Sequence, residues 1–287
     1  MKALLLCAFL VVLCSSKIIV TKELINELKK TATWEVTEYA ENIFKGVDDD
    51  DSVNGSPESF VINNLRQIQN DVQANNLDCG VPIQNMGEKC LGSTFAFAVA
   101  GMVSSRCCAK KGVPTVLSPM EIISCDSGDY GCAGGWPAYA LKYVEKNGLV
   151  PDDCYPYNGQ NEGCPTVCKN GKPFKDAHMC NITNIVTLKS ADDVKAALKN
   201  GPIVISFDAY TDLYTYKSGI YCHTAGAFKR VMSGLVVDYA EGDKPYIRIQ
   251  MPFGKTFGEE GFIRMCTSCC GLFNKYEKGN VACDIKS

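Results

Sequence analysis

The chain has only two histidines and two tryptophans in 287 residues. Chemistry that needs several imidazoles, for metal binding or proton transfer, has little to draw on. Positive charge is not in excess either: 29 Lys and Arg stand against 32 Asp and Glu, a net charge of −3. Nucleic acid is therefore not an expected partner. Walker, GxGxxG, HExxH and GxSxG motifs are missing, so no cofactor is expected. No internal repeat is present. Beyond the first residues no apolar stretch reaches the roughly 20 positions that span a bilayer.

Cysteine is abundant, with 17 in the chain. Met1-Lys2, an apolar run from Ala3 to Leu13 and then Cys14-Ser15-Ser16 describe a signal peptide over residues 1–16. A short membrane anchor is the alternative, but an apolar run of about 12 residues is too short to span. Export through that signal places the chain in a secreted or lysosome-like vesicular compartment, where disulfides form. Cys7 and Cys14 fall in the signal, and the remaining number is odd. At least one thiol is expected to stay free or to join a disulfide-linked partner. Cys266-Thr267-Ser268-Cys269 has the spacing of half a zinc site, but one such pair in an exported chain points to disulfides, so no metal is expected. Asn54 and Asn181 head glycosylation sequons, usable only on export.

Residues 17–46 form a small unit with Leu24, Ile25 and Leu28 at helical spacing and Trp34 and Phe44 as anchors. Asp48 to Asp51, Asn54, Gly55 and Ser56 then read as an exposed linker open to proteases. Residues 17–55 are expected to be a removable pro-segment; a loop between permanent domains is the alternative. Globular sequence follows over 56–287. Phe95, Ala98, Val99, Met102 and Val103 line one face of a helix, and Phe97, Ala100, Gly101 and Cys108 fill the other. Such a helix is buried nearly all round. Arg106, Lys110, Lys111 and Gly112 suit its negative end.

Ser118-Pro119-Met120-Glu121 reads as a capping box. Gly131-Cys132-Ala133-Gly134-Gly135 is a turn that launches a helix from Trp136 to about Lys146. Residues 151–175, rich in Cys, Pro, Gly and Asn, need disulfides to hold them. A last helix opens at Ser190 and stops at Asn200-Gly201-Pro202. Strands are expected at 203–207, 234–239, 246–251 and 262–265. Helices first and an antiparallel-looking sheet second is an α+β order with two lobes, helical over about 79–180 and β over about 181–287.

These residues resemble the papain family of cysteine peptidases, most closely its cathepsin B branch. The likeness rests on Thr31 to Trp34, Asn42 to Gly46, Pro57 to Phe60, Ser118 to Cys125 and Gly131 to Gly135. It continues through Tyr155-Pro156-Tyr157, Gly201-Pro202, Tyr216 to Tyr221 and Phe257 to Phe262. It implies a two-lobed papain-like fold and disulfides Cys79–Cys108, Cys90–Cys132, Cys125–Cys164 and Cys154–Cys168. Cys107, Cys180, Cys222, Cys266, Cys269, Cys270 and Cys283 have no implied partner. The segment between Cys154 and Cys168 is too short for the cathepsin B occluding loop and has no histidine.

The family's chemistry needs a Cys nucleophile at a helix N-terminus, a His base, an orienting Asn and a Gln that binds the oxyanion. The resemblance puts the nucleophile position on Thr94, the base on Val231 or Met232, the Asn on Met251 and the Gln on Met86. Gln84, two positions away, is the alternative for the last. The neighbouring tryptophans become Phe95 and Phe253. His178 and His223 match non-catalytic family positions. The expectation is a proteolytically inactive homologue, a pseudopeptidase. It would act by binding a polypeptide in the interlobe groove along Gly134, Gly135, Trp136 and Pro137, or as a structural or regulatory protein. A cleft filled by Met86, Phe95, Met251 and Phe253 is the competing picture. Two further classes are a hydrolase using Thr94 or Ser93, and a coat component cross-linked through Cys266, Cys269 and Cys270.

Overall fold

The computed structural model describes residues 20–39, 78–273 and 275–286. The signal at 1–16, Phe44, the acidic linker, Asn54 and the start of the globular part near Pro57 lie outside them. The first element is α1, Lys22–Thr31, capped by the Thr21 hydroxyl and burying Ile25 and Leu28. Strand β1, Glu35–Val36, follows.

Helix α2, Thr94–Lys111, is the axis of the molecule, with every residue from Thr94 to Cys108 buried. It is surrounded because its two faces are both apolar. Gly112, at φ +70°, ends it, and its N–H bonds the Cys108 carbonyl; the missing Cβ makes that left-handed turn cheap. Helices α3, Pro119–Cys125, and α4, Pro137–Asn147, pack against it. A single turn, α5, spans Phe174–Ala177.

The second half of the chain contributes β2 (Ile182–Thr187), α6 (Ala191–Leu198), β3 (Ile203–Tyr210), β4 (Tyr216–Ser218), β5 (Ile220–Tyr221), β6 (Phe228–Ala240), β7 (Tyr246–Gln250), β8 (Phe262–Cys266) and β9 (Val281–Ile285). Seven strands form one sheet in the order β2-β9-β3-β6-β7-β8-β5, and β1 pairs with β4. The sheet is mainly antiparallel, but β5 runs parallel to β8. This is an α+β arrangement of helices against a sheet. No helix among the described residues is long and apolar enough to cross a membrane.

Three positions depart from the sequence reading. Arg106 is not a surface cation at the helix end. It is 6% exposed and donates to the carbonyls of Pro202, Cys283, Ala197 and Gly201 at 2.8–3.1 Å. Ser118 does cap α3 through the Glu121 N–H at 3.1 Å, but Glu121 does not complete the box. Its carboxylate instead accepts from Tyr143 OH and Val150 N–H and meets His178 Nε2 at 2.6 Å, because the Ser118 N–H is already taken by the Val150 carbonyl. The Glu121 hydrogen bond raises the His178 pKa. Strands β2 and β9, which pair with each other, went unread.

Six disulfides are formed among the described residues. They include Cys79–Cys108, Cys90–Cys132, Cys125–Cys164 and Cys154–Cys168. Cys107–Cys180 ties α2 to the start of β2, and Cys222–Cys266 ties the end of β5 to the end of β8. Cys269, Cys270 and Cys283 are free thiols.

Candidate functional site

Thr94 sits at the N-terminus of α2, where unpaired N–H groups and the helix dipole favour negative charge. Its hydroxyl is 3% exposed and accepts the Ser233 N–H at 3.1 Å. Ser93, before it, is fully buried and donates to the Cys90 carbonyl at 2.7 Å.

Strand alternation separates the two positions left open for the base. Met232 pairs with Phe207 and lies in the β-side core with Ile205 and Val236. Val231 projects from the opposite face, the one that also carries Ser233 and Leu235. Leu235 packs into the cluster built on α2, so Val231 is the residue on the α2 side of β6.

Met86 and Met251 are 2% and 1% exposed and belong to one apolar cluster with Phe97 and Phe253. The Met86 amide donates to the Pro252 carbonyl, its carbonyl accepts from Tyr157 OH at 2.7 Å, and Ser93 Oγ lies 3.8 Å from its sulfur. Met251 lays its sulfur against Gly234. Phe253 and Phe257 meet edge to face at 5.0 Å. Beside Met251, between Gln84, Phe97, Gly101 and Leu235, about 20 Å³ is open. That is room for about one water, not for a side chain. Gln84 borders this space and uses its carbonyl to accept the Gly254 N–H.

Neither histidine is bonded to Thr94. His178 pairs with Glu121. His223 Nδ1 lies 3.1 Å from both oxygens of Asp212, and its ring stacks on Tyr210 at 3.7 Å.

The turn carrying Gly134 and Gly135 closes on itself. Tyr130 N–H donates to the Gly134 carbonyl at 2.9 Å. Gly135 is required by packing: a Cβ there would fall 2.5 Å from the Phe95 ring and 2.6 Å from the Asp129 carboxyl carbon. Asp129 Oδ1 accepts the Trp136 N–H at 2.7 Å. Its other oxygen and Oδ2 of Asp126 are both buried without a partner. Burial, with Asp126 alongside, raises the Asp129 pKa to about 7.

The side of the turn bearing Trp136 and Pro137 is covered by the chain's own C-terminal segment. Tyr276 packs on Trp136 with ring centres 5.9 Å apart, and the Lys278 carbonyl accepts the Ala138 N–H. Lys278 also reaches Tyr139. The segment is anchored on β3 through Asp208, 4% exposed, which accepts from Lys275 Nζ at 2.5 Å and from Tyr276 OH. Asn280 Oδ1 accepts the Ser206 N–H at 3.0 Å. Sequence reasoning passed over Asp208, Tyr276 and Lys278; the only signal was that 275–280 sets three charges and one tyrosine just before an apolar strand.

The N-terminal segment docks on the sheet side. Trp34 lies against Tyr216 and Tyr221 and donates Nε1–H to the Cys222 carbonyl at 3.1 Å. Tyr39 OH bonds the Tyr216 carbonyl at 2.6 Å and takes the Gly258 N–H. Asn181 is half-buried, its side-chain oxygen beside Gly148.

The fold and the cysteine frame have counterparts among known proteins. Cathepsin B-like CP3 of Giardia intestinalis is 35% identical over 198 residues, 63% of this chain and 64% of that one. Cathepsin B-like CP2 of the same organism is 33% identical over 186 residues, 61% of each. The chain thus matches less than two thirds of the length of these relatives. Among solved structures, proCathepsin B S9 from Trypanosoma congolense superposes with a TM-score of 0.71 at 22% identity, over 93% of this chain and 99% of that one. A family model described as papain family cysteine protease matches residues 69–279. The chain belongs to the papain family of cysteine proteases, with cathepsin B-like relatives.

Proposed function

We propose that this cathepsin B-like protein does not cleave peptide bonds, and that it works by holding a polypeptide or by a structural or regulatory contact. The observation that carries the reading is the surroundings of Thr94. Its oxygen already accepts a main-chain N–H, and the positions that would supply base, orienting amide and oxyanion donor are Val231, Met251 and Met86. A hydroxyl needs a base more than a thiol does, because its own pKa is far higher. Removing a full triad costs about 10⁶ in turnover. Ser93 as nucleophile meets the same lack, and its hydroxyl is spent on the Cys90 carbonyl.

Gly134 spends its N–H and carbonyl inside the turn, so the edge along which an extended chain would lie is the backbone of Gly135. With Tyr276 over Trp136, a bound polypeptide would run on the Gly134–Gly135 side and not across Pro137. The same proposal takes 17–55 as a pro-segment, Asn54 and Asn181 as glycan acceptors, and a secreted or lysosome-like compartment as the setting.

The test is fluorescence anisotropy of labelled, unstructured peptides with the protein after its N-terminal segment is removed, followed by mass spectrometry of the recovered peptides. Saturable binding with intact peptides is expected. Peptides recovered cleaved would overturn the inactive reading, and absence of any binding would overturn the polypeptide-binding one.

A further inference from the structure

Four cysteines gather where β5 and β8 end: two in the disulfide Cys222–Cys266 and two free, Cys269 and Cys270. The Sγ atoms of Cys222, Cys266 and Cys269 all lie within 4.8 Å of one another. We propose that these three residues form a thiol–disulfide exchange site, one disulfide shared among three sulfurs, with Cys269 as the attacking thiol.

Exchange requires a thiolate next to a disulfide that can leave. Cys269 is partly exposed, whereas Cys270 is buried. A hydrogen bond from the Cys270 thiol lowers the Cys269 pKa, and the His223 N–H adds to it, against the opposing effect of burial. Cys270 is shifted the opposite way, upward, by the same contact and by burial. The pair is thus polarised, and the thiol that ionises more readily is the one lying beside the disulfide.

The step is an isomerisation and needs no oxidant. Cys269 Sγ⁻ attacks Cys222 Sγ, a new Cys222–Cys269 bond forms and the Cys222–Cys266 bond breaks. Cys266 leaves as a thiolate and takes the proton that Cys269 gave up. The surroundings let one side move while the other stays. Residues 221–225 are pinned by Asp212, fully buried, which accepts from Tyr221 OH and from the N–H groups of Thr224 and Ala225 at 2.7–3.1 Å. Cys269 lies instead on a turn after β8, closed by the Leu272 N–H to the Cys269 carbonyl at 3.3 Å.

The consequence reaches the groove. Cys269 to Gly271 begin the segment whose Lys275 and Tyr276 hold Asp208 and cover Trp136. A Cys222–Cys269 bond adds a covalent tie from that segment to β5; with the Cys222–Cys266 bond the segment is held by non-covalent contacts, among them those to Asp208, Ser206 and Trp136.

The experiment uses the full chain, equilibrated in a glutathione redox buffer, quenched in acid, alkylated and mapped by tandem mass spectrometry that separates Cys266 from Cys269. Both Cys222–Cys266 and Cys222–Cys269 linkages are expected in one preparation. In C266S, Cys222–Cys269 should become the dominant linkage, and in C270S the wild-type mixture should persist. The proposal is overturned by wild-type protein holding Cys222–Cys266 alone, by C266S with Cys222 and Cys269 both alkylated, or by loss of the second linkage in C270S.

Discussion

The Thr94 hydroxyl oxygen accepts a hydrogen bond from the Ser233 N–H, 3.1 Å away. That contact joins the tip of α2 to β6, the two elements on which the proposed reading puts the nucleophile and base positions. Under the proposed reading, Val231, two residues before Ser233 and on the same face of the strand, puts a hydrocarbon at the base position. A positive helix terminus can lower a thiol's pKa, but it cannot by itself move a proton to a leaving group.

Restoring the sulfur alone should therefore restore little. T94C is expected to stay about 10²–10⁴-fold below the same protein carrying T94C, V231H and M251N together, because a base contributes on that order. Single-turnover cleavage of a fluorogenic dipeptide by the two variants measures this. Equal rates would show that Val231 does not occupy the base position.

Arg106 connects the lobes. Its guanidinium is buried, its pKa is lowered by that burial, and four carbonyls, from the end of α6, the loop after it and β9, receive its N–H groups. R106M removes the charge and takes away the bonds that the Pro202, Gly201 and Cys283 carbonyls receive from it, while the Ala197 carbonyl keeps the Asn200 N–H. A loss of about 3–5 kcal/mol is expected, as for other broken buried charge networks. Urea unfolding reads it, and a change below about 1 kcal/mol would mean that the four bonds add nothing net.

Asp129 makes a prediction about pH. Its folded pKa, about 7, lies above the ordinary carboxyl value of about 3.9. The folded state thus binds a proton more tightly than the unfolded one, and stability falls as pH rises through that window. His178, raised by Glu121, acts in the same direction, its contribution present below about 6.5 and lost above the folded value. In D129N the Trp136 N–H keeps its acceptor and Asp126 gains a donor. D129N should therefore melt higher than wild type near pH 8 and much closer to it near pH 5, conditions chosen on either side of the raised value of about 7. A melting difference that does not change with pH would contradict the raised pKa of Asp129.

Trp34 holds the N-terminal segment. W34A takes away its packing on Tyr216 and Tyr221 and its bond to Cys222. Truncations of this size cost about 3–5 kcal/mol, more than a short docked segment holds in reserve. Trypsin should cut near Lys29 and Lys30 much faster in W34A, with the sheet still protected in hydrogen exchange. Unchanged cleavage would place the docking energy in Leu28 and Tyr39 instead.

Much of this molecule was readable from sequence. The apolar residues on both faces of 94–108 announced a buried helix, and Gly112 announced its end. The Gly134-Gly135 turn, strands β3, β7 and β8 and the second half of β6 were equally clear. Arg106 was misread because a cation near a helix C-terminus fits two physical pictures, dipole pairing and carbonyl capping from inside. Glu121 was misread because its sequence partner, the Ser118 N–H, was claimed by Val150, distant in sequence. Strand β2 escaped because Thr183, Asn184 and Thr187 give it a mostly exposed face. The cover over Trp136 depends on where residues 275–279 return in space, which local sequence does not encode. The proposed assignment of nucleophile, base, Asn and Gln positions to Thr94, Val231, Met251 and Met86 comes only from the family likeness; by themselves these residues read as core.

The central claim is that the Thr94 site does not hydrolyse peptides. The direct measurement is release of fluorophore from dipeptide substrates by the purified protein, freed of its N-terminal segment, beside T94A. No release above background, equal in both proteins, is the result this account predicts. Turnover that disappears in T94A would contradict it.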